Sequence, residues 1–89
     1  MTLIQIKYVT KGAQQHEHIQ LLGTDVVSFK LDGLIGLIEG GQYGFFTEHA
    51  GQRAMIRVRQ GLTRKYVQTI ADGVWQNNLL SLPPCKVAA

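Results

Sequence analysis

The segment Arg53-Ala54-Met55-Ile56-Arg57-Val58-Arg59 alternates without a break. A β-strand sends successive side chains to opposite faces. Ala54, Ile56 and Val58 therefore share one side, and Arg53, Met55, Arg57 and Arg59 share the other. Such a strand belongs in a sheet with one face on a core and one face outward. Every arginine of the chain lies at 53, 57, 59 or 64. The feature that demands a sheet is also the feature that concentrates positive charge.

Other segments read against that strand. Leu3–Thr10 alternates, with Ile4, Ile6 and Tyr8 on one face and Gln5 and Lys7 on the other. This predicts one half-buried strand. Lys11–Gln15 reads as a turn, and His16–Leu22 as the partner strand. Gln42–Glu48, with Tyr43, Phe45 and Phe46, reads as a further strand. His49-Ala50-Gly51-Gln52 then makes a hairpin connection into the arginine strand. Gln60-Gly61 turns into a strand at Leu62–Thr69, and Ala71-Asp72-Gly73 is a turn. Asn77–Leu82 is short and extended or mixed, and Pro83-Pro84 closes the ordered part.

One helix is expected. Leu31, Leu34, Ile35 and Ile38 follow the i, i+3, i+4, i+7 spacing of a buried helical stripe. Ser28 is placed to cap its start, and Gly40-Gly41 to stop it. Gly33 and Gly36 lie inside it. Each lowers helix propensity by about 1 kcal/mol relative to Ala, so packing must hold the helix. The expected order is β-β-α-β-β-β: an α+β fold, a small mostly antiparallel sheet with one helix across it. The 89 residues make one domain, with an ordered core of about 2–84.

Composition narrows the function classes. Hydrophobic residues are 45% and charged residues 17%, a globular balance rather than a disordered one. No apolar run reaches the roughly 20 residues of a membrane span, and the N-terminus lacks the layout of a signal peptide. The expected compartment is the cytoplasm. The single cysteine, Cys85, can form no internal disulfide and no cysteine zinc site by itself. The net charge of +3 divides unevenly. Residues 1–48 hold three lysines against five acids, a net of −2, and residues 49–89 hold six cations against Asp72, a net of +5.

The candidate site follows from that asymmetry. Arg53, Arg57 and Arg59 share a strand face with no acid between Glu48 and Asp72 to offset them along the chain. A guanidinium fork suits phosphate or carboxylate. Tyr66 and Trp75 follow and can stack on a base. His16 and His18, two apart on a strand, share a face with reach for hydrogen bonding or metal chelation. Asp72 and Asn78 are turn residues that can also read hydroxyls. No phosphate-cradling loop, nucleophile elbow or catalytic triad is recognisable, so no catalytic residue, cofactor or metal is assigned.

In the C-terminal half, Lys65-Tyr66-Val67-Gln68-Thr69, Ala71-Asp72-Gly73, Asn78-Leu79-Leu80, and Leu82-Pro83 with Cys85 resemble a family of small bacterial and phage proteins of unknown function. His16-Glu17-His18-Ile19 and the helix end Ile38-Glu39-Gly40-Gly41 are similar to further elements of it. The resemblance runs from about Ile4 to Cys85. The arginines at 53–59 stand apart from its pattern. It implies no activity, but a phage setting would fit a protein that sequesters a nucleotide immune signal.

The expectation is a non-enzymatic binder of a small anionic, nucleotide-like ligand. Arg53, Arg57 and Arg59 hold phosphate, Tyr66 or Trp75 stacks, and His16, His18, Asp72 and Asn78 hydrogen-bond. So small a chain has little room for a pocket, so a homo-oligomer is expected. The alternatives are a nucleic-acid-binding accessory, a protein inhibitor using Phe45, Phe46, Met55 and Trp75 as an apolar patch, and an enzyme that degrades the same ligand.

Overall fold

The computed structural model describes residues 1–12 and 19–85, and the histidines at 16 and 18 lie outside them. In order the described elements are β1 (Thr2–Gln5), β2 (Tyr8–Lys11), β3 (Ile19–Gly23), β4 (Ser28–Lys30), α1 (Leu31–Glu39), β5 (Tyr43–His49), β6 (Gln52–Gln60), β7 (Lys65–Ala71) and β8 (Val74–Gln76). A 3-10 turn follows at Asn78–Ser81. The strands form a five-stranded sheet, β1-β5-β6-β7-β8, and a three-stranded sheet, β2-β3-β4. The α+β class holds, but the expected single sheet is two sheets. The larger one also begins with a parallel pair, β1 on β5.

The strand expected at Leu3–Thr10 divides because the chain passes from one sheet to the other. The Ile6 N–H donates to the Phe46 carbonyl at 2.8 Å, and the Lys7 N–H to the Gly23 carbonyl at 2.9 Å. Ile6 is the buried pivot. Leaving the first ladder there resets the alternation, so Val9 enters the core in place of Tyr8. The Tyr8 hydroxyl reaches outward and donates to Asp25 Oδ1 at 2.8 Å. Lys7 donates to the other oxygen of Asp25, also at 2.8 Å. That hydrogen bond, and then the carboxylate charge, raise the Lys7 ammonium above its ordinary pKa.

A bulge breaks the alternation of β3. Thr10 faces Leu21 while Lys11 faces Ile19, which leaves Gln20 as the extra residue. Ile19 and Leu22, three apart, are thereby both buried. Ser28 does not cap the helix. It pairs with Gly23 in β4, and Phe29 and Lys30 continue that ladder. The chain stays extended through Lys30, which stands at the helix start without a side-chain cap. Delaying the helix places Phe29 edge-on against Phe45, with centroids 5.4 Å apart.

The predicted stripe packs as expected. Leu31, Leu34 and Ile35 are buried, and Ile38 is partly buried against the same core. Gly41 ends the helix at φ +80°, and its N–H donates to the Ile38 carbonyl. The core joins this stripe to Ile6, Val9, Ile19, Leu22, Phe45, Ile56, Val67 and Leu79. Leu79 comes from the 3-10 turn, so the segment after β8 seals one end of the core. Beyond it, the Val9 N–H donates to the Pro83 carbonyl and the Cys85 N–H to Thr10 Oγ1. The C-terminal segment thus runs along β2.

Gly36 faces open space, since a Cβ there meets nothing within 4 Å. The same holds at Gly33, so neither internal glycine serves close packing among the described residues. Gly36→Ala is expected to stabilise the fold by about 0.5–1 kcal/mol. A urea midpoint at or below that of the native sequence would contradict this.

Candidate functional site

The register of β5 to β8 builds the outer face of the large sheet. Phe46 lies opposite Met55, Met55 opposite Ile70, and Ile70 opposite Trp75. These four make an apolar row straight across the sheet. On one side of the row, Glu48 lies opposite Arg53. On the other, Arg57 lies opposite Gln68, and then Arg59 opposite Tyr66. The helix and the smaller sheet contribute their buried residues to the core on the reverse side.

The alternation of β6 is as the sequence dictates. Ala54 and Ile56 are buried and Val58 is half-buried, while Arg53 and Arg57 are exposed. The three arginines differ in their surroundings. Arg53 stacks over Phe46, 4.1 Å from the ring centroid, and pairs with Glu48 at 3.5 Å. The hairpin thus supplies an acid that chain order placed beyond the arginine strand. Arg59 lies 4.2 Å over Trp75 and 5.9 Å from Tyr66. Its Nη1 donates to Gln68 Oε1 at 2.8 Å, and Gln68 Nε2 donates to the Gln76 carbonyl at 3.2 Å. That relay fixes the guanidinium plane over the indole. Arg57 is exposed and makes no salt bridge with an acid among the described residues.

The expected binding residues therefore fall into two groups. Arg57, Arg59, Tyr66 and Trp75 come together on the outer face. Arg53 is six residues from Arg59 along β6, about 20 Å. Arg53, Asp72 and Asn78 instead line a cleft of about 250 Å³ at the hairpin end of the sheet. Gln68 was not singled out from the sequence, where nothing distinguishes a glutamine that orients an arginine. The apolar patch proposed for a protein inhibitor is not formed as expected. Phe45 is 0% exposed and sits in the core, and Phe46 is 8% exposed beneath Arg53. Trp75 alone of those four is well exposed, at 40%.

A wider, open hollow of about 690 Å³ lies between β3, the start of α1 and the turn before β7, with Gln20, Lys30, Asp32 and Arg64 around it. Among the described residues no three His, Cys, Asp or Glu side chains gather as a metal site. No helix among them is long and apolar enough to cross a membrane.

The architecture is an α+β domain whose large sheet turns one face away from the core, with arginine set beside aromatic rings on that face. The chain belongs to the family described as protein of unknown function (DUF3892), which matches residues 4–83. That agrees with the resemblance to a family without an assigned function. No curated protein matches the chain, and no solved structure does.

Proposed function

We propose that the protein is a non-enzymatic binder of a small nucleotide-like anion, held on the outer face of β6, β7 and β8. One observation carries this reading: Gln68 locks Arg59 over Trp75, beside an exposed Arg57 that makes no salt bridge among the described residues. Arg57 and Arg59 are two residues apart on one strand face, about 7 Å, a spacing at which both reach one phosphate group. Trp75 and Tyr66 offer π faces to a base. A homo-oligomer that closes over this face remains part of the proposal, since Trp75 in the apolar row is exposed and Met55 and Ile70 are half-buried among the described residues.

The test uses the single tryptophan. Adding ADP or a cyclic dinucleotide should change Trp75 fluorescence saturably, and Arg57→Ala should weaken that response at least tenfold. No response to either compound in folded protein would contradict the proposal. A second reading, single-stranded nucleic acid, is favoured by the openness of the face and the row that spans four strands. It predicts oligonucleotide binding stronger than mononucleotide binding, falling steeply with added salt.

A further inference from the structure

At the hairpin end of the large sheet, the core-facing residues become small. Farther along, that face carries Phe45, Ile56 and Val67, all buried. At the end it carries Thr47, Ala54 and Ala71, with Thr47 directly opposite Ala54. Small side chains there leave the sandwich unfilled. The result is the cleft of about 250 Å³ that Ala54 and Ala71 help to line. A second cavity of about 120 Å³ adjoins it, and His49 and Asn78 line both.

Thr47 lines the smaller cavity and is 2% exposed. Its Oγ1 is buried without a hydrogen-bond partner among the described residues. A buried hydroxyl left unpaired is costly, and native folds rarely keep one without a purpose. Polar groups line the two cavities: His49 and Asn78 both of them, Gln52 and Gln76 the cleft, and Ser81, whose Oγ donates to the Asn78 carbonyl at 2.9 Å, the smaller cavity.

The charges argue against an anion here. Arg53 is the cation on the rim, and Glu48 already pairs with it. Asp72 adds a further carboxylate. Amides, an imidazole and hydroxyls that both give and take hydrogen bonds suit a neutral solute rich in hydroxyl groups. The volume falls below the roughly 300–1,000 Å³ of drug-sized pockets, so the occupant is about one ring in size.

We infer that this end cleft binds a small uncharged polyhydroxylated ring, a single sugar, one of whose hydroxyl groups reaches into the adjoining cavity to bond the Thr47 hydroxyl that lines it. The site is separate from the outer face and stands or falls independently of the function proposed there.

The test is amide NMR of the whole chain titrated with D-ribose, D-glucose and D-mannose. At least one sugar should shift the His49, Gln76 and Asn78 amides saturably. Thr47→Val keeps the shape and removes the hydroxyl, so it should melt no lower than the native chain yet bind that sugar at least tenfold more weakly. The Trp75 fluorescence response to ADP should be the same in both proteins. No saturable shift with any of the three sugars would overturn the inference. So would equal affinity in folded Thr47→Val, because the orphan hydroxyl would then hold solvent only. Should Thr47→Val fail to fold, Asn78→Ala takes its place with the same tenfold criterion.

Discussion

Phe45→Ala should lower the free energy of unfolding by about 3–5 kcal/mol, measured by urea titration. Phe45 is fully buried and packs edge-on against Phe29. It lies in the buried cluster that joins the helical stripe to both sheets. A domain this small has little reserve, with total stability of roughly 5–15 kcal/mol, so the variant sits near or past the point of unfolding. The adjacent residue supplies the comparison. Phe46 faces the other way, under Arg53. Its truncation opens a surface rather than a sealed cavity, so Phe46→Ala should cost clearly less. Equal losses for the two would mean that the faces of β5 are wrongly assigned.

Arg59→Ala should weaken binding of a nucleotide-like anion by tenfold or more. A hydrogen bond to a charged group contributes about 1.5–3 kcal/mol, and tenfold in affinity corresponds to about 1.4 kcal/mol. The variant also removes the group that stacks on Trp75 and engages Gln68, so its emission spectrum should shift before any ligand is added. Arg59→Lys keeps the charge but loses the planar fork, and should recover only part of the affinity. Arg53→Ala, at the far end of β6 and paired with Glu48, should leave affinity nearly unchanged. Full affinity in Arg59→Ala, measured by calorimetry, would remove Arg59 from the site.

Much of this arrangement is legible in the residues. The period of two from Arg53 to Arg59 forecasts which side chains reach the core and which face outward. The spacing of Leu31, Leu34, Ile35 and Ile38 forecasts the helix and its buried stripe. The misread segments are those where a long-range pairing overrides a local pattern. Ile6 and Lys7 bond to two different sheets, and nothing local to Leu3–Thr10 signals that transfer. Ser28 has the chemistry of a cap, but its pairing with Gly23 keeps it in a strand. Gln20 bulges, so the faces of its strand cannot be counted by twos.

The site was legible in kind but not in grouping. Arginine and aromatic residues were recognisable by type. Only the register across β6, β7 and β8 separates Arg57 and Arg59 from Arg53, and only the turn after β8 carries Asn78 to the opposite end. Glu48 precedes Arg53 by five residues, so its role as an ion-pair partner depends on the hairpin between them. The Ala50-Gly51 turn that forms this hairpin holds both residues at positive φ, 51° and 79°. Glycine tolerates that conformation freely and alanine does not.

The central claim is that the outer face of β6 to β8 holds a nucleotide-like anion. Backbone amide NMR with ADP tests it most directly, because it reports location as well as binding. Saturable shifts should cluster at Arg57, Arg59, Tyr66, Gln68 and Trp75. An absence of shifts at those residues, or shifts confined to the opposite side of the sheet, would contradict it.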